Sequence, residues 1–246
     1  MQLRLLLLYI SCTLGLNILL NACIPIPMFD QGFGREKAEL RTTRQIQSEH
    51  EVAIATNRQP PMSDQVYQKV NPAVVTIYGA KELGSGMIVR AEGLILTNKH
   101  VVQNSTQVAI RTITGKVYEG RVVDFDLRHD LALVKLSAQA THLPTVYLAT
   151  RLDVKAGEKV YAMGSPGGTP GLLTAGTFLR ITEYGSLQLS SGLLNPGNSG
   201  GPVLNTHGDV IGISKGLLKD NSGLATSVLA ARELIGRYQR VNKQGS

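Results

Sequence analysis

The sequence contains no tryptophan and only two cysteines, Cys12 and Cys23. Two cysteines exclude a disulfide-stapled scaffold, so any fold must hold through its apolar core, which a chain of 246 residues is long enough to bury. Like charges never run together in blocks of five or six, although the formal net charge is +7. That interleaving argues against nucleic acid as a partner and leaves only a general attraction to anionic surfaces. No internal repeat occurs. No metal-ligand spacing occurs either, because His50-Glu51 lacks a second histidine four residues after the first. The glycine-rich run GSPGGTPG lacks the Gly-Lys-Ser/Thr ending of a phosphate loop. Neither a metal nor an organic cofactor is therefore expected.

What is present begins with MQLRLLLLYISCTLGLNILLNAC, one early positive charge at Arg4 followed by an apolar stretch through Leu20. This pattern predicts an export signal over residues 1–22, with a retained membrane helix as the alternative. The Leu-Asn-Ala-Cys ending resembles the lipobox of bacterial lipoproteins, which makes Cys23 the expected first residue of the mature chain and its lipidation site. Cys12 would leave with the signal, so no disulfide is expected in the mature protein. Residues 23–63, rich in Gln, Arg, Glu, Thr and Pro, read as a tether with a helical turn or two around residues 35–47 and two isolated aromatics, Phe29 and Phe33.

From Asp64 onward, short apolar or alternating runs dominate: AVVTIYG, GSGMIVR, GLILTN, QVAIRTI, KVYEGRVVDF, LALVKL, EKVYAMG, GSLQLSS, GPVLN and DVIGISKG. Turn residues separate them at short intervals, which predicts an all-β barrel or sandwich over residues 64–240, followed by a tail at 241–246. Helical periodicity is confined to SVLAARELIGRYQRV near the end, where Leu229, Leu234, Ile235 and Tyr238 can share one face.

The stretch NPGNSGGPVLN, residues 195–205, places Ser199 among Gly197, Gly200 and Gly201. Small residues there let the backbone fold closely around one hydroxyl. A serine hydroxyl becomes a useful nucleophile only when a base removes its proton, and histidine is the usual base near neutral pH. Of the five histidines, His100 stands apart, because GLILTNKHVV puts it directly after a buried-looking strand. The imidazole in turn needs an orienting acceptor. DFDLRHDLALVKL offers Asp124, Asp126 and Asp130, of which Asp130 immediately precedes the strand LALVKL.

With His100, Asp130 and Ser199 in that order, the chain resembles the HtrA/DegP-type branch of chymotrypsin-fold serine proteases. The likeness runs from about Asp64 to Tyr238 and rests on VNPAVVTIYG, GSGMIV, GLILTNKHVV, DLALVKL and NPGNSGGPVLN. It implies two six-stranded antiparallel β-barrels with a C-terminal helix and a site in the cleft between them. Ser199 matches the nucleophile, His100 the general base and acid, Asp130 the orienting carboxylate, and the N–H groups of Gly197 and Ser199 the oxyanion hole. Ile213, Ser214 and Lys215 match the strand that pairs with substrate. Leu193 matches the base of the specificity pocket, where no carboxylate then waits for Lys or Arg. The run GSPGGTPGLLTAG matches a mobile activation loop. Ala225-Thr226-Ser227 departs from the family's Gly-Phe-Ala, and the likeness covers a protease domain without a PDZ domain. The expected protein is an exported serine endopeptidase of the bacterial periplasm or cell envelope, lipid-anchored to a membrane. It needs no cofactor, acts on unfolded or extended polypeptides in protein quality control, and assembles as a homotrimer through the segment before the first strand. The alternative is a catalytically silent HtrA-like peptide-binding or chaperone-type module. The order His, Asp, Ser argues against an α/β-hydrolase esterase, which runs Ser, acid, His.

Overall fold

In a computed structural model, strands β1 (Val74–Tyr78), β2 (Leu83–Arg90), β3 (Leu94–Asn98), β4 (Gln107–Thr112), β5 (Val117–Asp126) and β6 (Leu131–Leu136) close into one antiparallel barrel in the order β1-β2-β3-β6-β5-β4. Strands β7 (Lys159–Gly164), β8 (Leu172–Ile181), β9 (Leu187–Leu189), β10 (Pro202–Leu204), β11 (Val210–Leu217) and β12 (Gly223–Ser227) close into a second, ordered β10-β11-β12-β9-β8-β7. The structure describes residues 61–80, 82–137 and 142–244. The expected signal and tether, with Cys12, Cys23, Phe29, Phe33 and His50, lie outside the described residues. Closure pairs every strand on both sides and leaves no edge for aggregation.

Alternation accounts for the outer strands: in β4 each second residue is buried, so Val108, Ile110 and Thr112 face inward. Strand β3 and the start of β6 are buried on both faces and pair Leu96 with Leu133 in one contiguous core that spans the two barrels. Helix α1 (Met62–Val70) precedes β1, and a single turn, α2 (Lys99–Val102), follows β3. The long helix α3 (Val228–Gln244) ends the described chain and returns to the first barrel, where Arg237 holds the Asp124 carboxylate of β5 at 2.8 Å.

Ten of the twelve strands coincide with runs picked out in the sequence. The two missed, β8 and β12, carry weak signals. In β8 only Phe178 is buried, and β12 is Gly-Leu-Ala-Thr-Ser, poor in the β-branched apolar residues that mark a strand. Helix α1 was also missed. Its buried face is just Val66 and Val70, and burial of about 1.5–3 kcal/mol per valine stabilises nine residues that would be marginal as an isolated helix. Both terminal helices pass the expected limits of 64 and 240, reaching Met62 and Gln244. The buried face of α3 is Val228, Ala231, Leu234 and Ile235; Leu229, expected inward, is 42 % exposed. Among the described residues, no helix is long and apolar enough to cross a membrane.

Candidate active site

The register of β3 on β6 places the first two candidate residues. Asn98 pairs with Leu131, so the residue two after Asn98 and the residue before Leu131 emerge at the same end of the first barrel. His100 Nδ1 lies 2.6 Å from Asp130 Oδ2, and the His100 backbone N–H donates to Oδ1 at 2.9 Å. Two further donors fix Asp130 from behind: the Lys99 N–H and the Asn98 side-chain amide reach its carbonyl at 3.1 and 2.8 Å. Asp130 has φ +56°, a left-handed conformation that Asp tolerates better than most residues but that needs such outside support. The second barrel adds to it, since the Thr226 hydroxyl donates to the His129 carbonyl at 2.8 Å.

The Asp130 hydrogen bond raises the His100 pKa above the ordinary imidazole value of 6.5, and the charges of Asp130 and Glu82 act in the same direction. Partial burial and the Lys215 ammonium oppose the rise without cancelling it. With Nδ1 donating to the carboxylate, a neutral His100 presents Nε2 as a lone pair.

Ser199 sits on a loop wedged between the barrels. Its carbonyl accepts the Ser85 N–H of β2 at 2.8 Å, and the following Gly200 N–H donates to Ser214 of β11 at 2.9 Å. Gly200, at φ +85°, packs against Ser85, Thr97 and Asn98, so the loop is seated on the end of β3 that leads into His100. A side chain at Gly84 would strike Val101, the neighbour of His100, at 2.7 Å and the Ser199 carbonyl at 3.1 Å. Those contacts explain GSGMIV, where only glycine lets the two segments meet. Gly197 has φ +99°, and neither its N–H nor that of Ser199 donates to an acceptor among the described residues. Ser199 Oγ likewise makes no hydrogen bond among them.

Beside Ser199 opens a cavity of about 240 Å³ whose walls include Leu194, Asn195, Pro196, Ser214, Gly216 and Leu217, with no charged side chain. Leu194 lines it, and Leu193, expected there, does not. Leu193 is fully buried, its carbonyl held by the Thr174 hydroxyl at 2.6 Å. Ile213 is likewise in the core, paired across to Pro202 and Thr226. Ser214 lines the cavity. Lys215 falls at a bulge with no partner in the β11–β12 register and faces a larger cavity, about 660 Å³, shared with His129, Glu183 and Tyr184. Asp124 and Asp126 lie at the end of β5 and are engaged elsewhere, Asp124 by Arg237 and Asp126 by His129 Nδ1 at 2.7 Å. The activation-loop candidate contains a 3₁₀ turn at Pro166–Gly168 and packs against Gly197, where a Cβ would meet Pro166 Cα at 2.8 Å.

Comparison with known proteins gives this arrangement a family. A family model described as a trypsin-like peptidase domain matches residues 84–213. The chain belongs to the trypsin-like peptidase family. It is similar to the human protein named serine protease HTRA4, 34 % identical over 73 % of this chain and 42 % of that protein. It is also similar to a probable periplasmic serine endoprotease DegP-like of Ectopseudomonas mendocina, 35 % identical over 67 % of this chain and 36 % of that one. The crystal structure of the serine endoprotease from Yersinia pestis superposes with a TM-score of 0.67 at 30 % identity, covering 74 % of this chain and 68 % of that chain. This trypsin-like peptidase thus falls among HtrA/DegP-type relatives. It spans about two fifths of the length of the curated relatives it matches.

Proposed function

We propose that the chain is a serine endopeptidase that cuts unfolded or extended polypeptides with Ser199, His100 and Asp130. The observation that carries this reading is the His100–Asp130 hydrogen bond of 2.6 Å at the barrel end on which the Ser199 loop is seated. In the proposed reaction, His100 Nε2 takes the Ser199 Oγ proton as Oγ attacks the scissile carbonyl carbon. The N–H groups of Gly197 and Ser199 then receive the charge that develops on the carbonyl oxygen. Collapse breaks the C–N bond, His100 returns the proton to the leaving amine, and water repeats the sequence on the acyl-enzyme to release the acid. Asp130 stays ionised and holds the imidazole.

A second reading, a catalytically silent peptide-binding module, draws support from the absence of any hydrogen bond on Ser199 Oγ among the described residues. Catalytic hydrogen bonds are often long before substrate binds, so this absence does not count against the first reading, which the His100–Asp130 pair supports. Labelling the purified chain with a fluorophosphonate and mapping the modified residue separates the two. Modification of Ser199 is expected, and an unlabelled serine would overturn the peptidase.

The uncharged cavity beside Ser199 supports cleavage after Val, Ala or Leu. A Lys or Arg side chain there would bury a charge without a partner. Profiling with a peptide library tests this, and a dominant preference for Lys or Arg would refute the assignment of the cavity.

The name of the Ectopseudomonas relative supports an exported, periplasmic protein. We propose in addition that the mature chain begins at a lipid-bearing Cys23. Stable anchoring requires more than one acyl chain, each buried CH₂ contributing about 0.8 kcal/mol, and bacterial lipoprotein cysteines carry several. Mass spectrometry of the N-terminal peptide, with Cys23→Ser as the control, is expected to show the modified cysteine. An unmodified Cys23, or a chain still beginning at Met1, would replace the lipid with a helix anchor.

A further inference from the structure

Three adjacent strands of the first barrel each place one hydroxyl residue against the second barrel: Thr76 on β1, Ser85 on β2 and Thr97 on β3, all fully buried. Their hydrogen bonds converge on Ser85. Its hydroxyl accepts the Ser165 N–H at 2.8 Å and donates to the Gly197 carbonyl at 2.6 Å. Its backbone N–H donates to the Ser199 carbonyl at 2.8 Å, and its own carbonyl accepts the Thr97 hydroxyl at 2.7 Å. Ser165, also fully buried, pairs through its side chain with Thr76 Oγ1 at 2.8 Å. The end of the barrel thus carries a chain of hydrogen-bonded hydroxyls that ends on the loop of the candidate nucleophile.

The position of the contact on that loop gives it meaning. The peptide plane between Gly197 and Asn198 lies between the two proposed oxyanion donors, with the Gly197 N–H one bond before it and the Ser199 N–H after it. Its carbonyl end is held by the Ser85 hydroxyl, and its amide end donates to the Asn195 carbonyl at 3.0 Å. At φ +99° and without a Cβ, Gly197 gives the plane little resistance to rotation, so the hydrogen bonds at its two ends set its orientation. Rotation of the plane would swing the two N–H groups out of convergence. We propose that Ser85 is a positioning residue, whose buried hydroxyl fixes the Gly197–Asn198 peptide plane and thereby aims the oxyanion donors on either side of it, the N–H groups of Gly197 and Ser199, without touching substrate. The same hydroxyl ties Ser165, the residue before the 3₁₀ turn that abuts Gly197, to the loop of the candidate nucleophile. The proposal rests on the serine-endopeptidase reading.

The test uses the full chain and two variants, Ser85→Ala and Ser85→Cys, the second close in volume but a weak donor. Hydrolysis of a peptidyl p-nitroanilide ending in Val is measured per active site titrated with a fluorophosphonate, together with the rate of phosphonylation itself. Complete loss of an oxyanion donor lowers kcat about 10²–10³-fold, so misaimed donors are expected to lower it about 10- to 100-fold in Ser85→Ala. KM is expected to stay within about threefold, because ground-state binding does not use these donors. Phosphonylation, which places an oxygen in the same hole, is expected to slow in parallel, with Ser85→Cys between the wild type and Ser85→Ala. Thr112→Val removes another largely buried hydroxyl of the same barrel, one bonded only within its own β4–β5 turn, and is expected to leave kcat unchanged. Wild-type kcat and labelling rate per titrated site in either folded variant would overturn the proposal, as would an equal fall in Thr112→Val. If Ser85→Ala does not fold, Ser85→Cys decides. A wild type that fails to label at Ser199 overturns the peptidase reading itself, an outcome distinct from normal labelling in the variants.

Discussion

Ser199→Ala is expected to lower kcat/KM for peptide hydrolysis by about 10⁴-fold or more while leaving thermal unfolding unchanged. The magnitude follows from the loss of the proposed nucleophile of a triad that acts as a unit, after which only binding and the proposed oxyanion donors remain to assist the reaction. The neutrality toward folding follows from this structure. The loop is held by its backbone, through the Ser199 carbonyl on Ser85, Gly200 on Ser214 and Gly201 on Asn198 at 2.8 Å, and the Ser199 hydroxyl contributes no hydrogen bond among the described residues. Removal of one oxygen from that position leaves no buried group unpaired. Casein cleavage by the purified variant at the wild-type rate would end the assignment. A large fall in melting temperature would show that the Ser199 hydroxyl itself helps to hold the loop.

Asp130→Asn is expected to be nearly as damaging, about 10⁴-fold, the size seen for the corresponding change in other serine proteases. The carboxylate now accepts from both the His100 backbone N–H and Nδ1. An amide offers only one acceptor, so it must turn its NH₂ toward one of these donors, and toward Nδ1 it would select the wrong tautomer. Asn suits the left-handed backbone at φ +56°, so the loss should lie in rate rather than in folding. The pH dependence supplies a second readout. His100 must be neutral to accept a proton, and its pKa is raised above 6.5 chiefly by the Asp130 hydrogen bond. The acid limb of kcat/KM is therefore expected above 6.5, with activity falling about tenfold per unit below it. In Asp130→Asn the limb should move to lower pH. Stability runs the other way. A pKa raised in the folded state contributes stability that is fully present below the unfolded value of 6.5 and lost as pH rises through the folded value. Melting temperature and activity should thus respond to His100 with opposite slopes. A wild-type limb at or below 6.5, or a variant within tenfold of wild type, would refute the pairing.

The reach of the sequence can be traced residue by residue. His100, Asp130 and Ser199 stand out in the sequence because each lies near a strand with a strong apolar signal, and GLILTN and LALVKL coincide with β3 and β6. At the cavity beside Ser199 the exposed wall is Leu194, while Leu193, which the resemblance matches to the pocket base, is fully buried next to it. Leu229 was misplaced on α3. Periodicity fixes the width of an apolar face, and the packing partner fixes its direction. Strands β8 and β12 carry little strand signal of their own and take their place through pairing on both sides in the closed second barrel.

The sequence alone determined the chemical inventory: a serine flanked by glycines, one histidine after a buried strand, one aspartate before another, and strand signals dense enough to require an all-β fold. These are local properties, carried by residue type and spacing over a few positions. Tertiary structure alone decided which groups meet. The Asn98–Leu131 register brings His100 to Asp130, the seat between the barrels holds Ser199, and the buried Ser85 hydroxyl reaches Gly197 across 112 positions of sequence. No local pattern encodes such contacts, because they depend on how two closed barrels stack, and stacking is set by the summed shape of a core contributed by every strand.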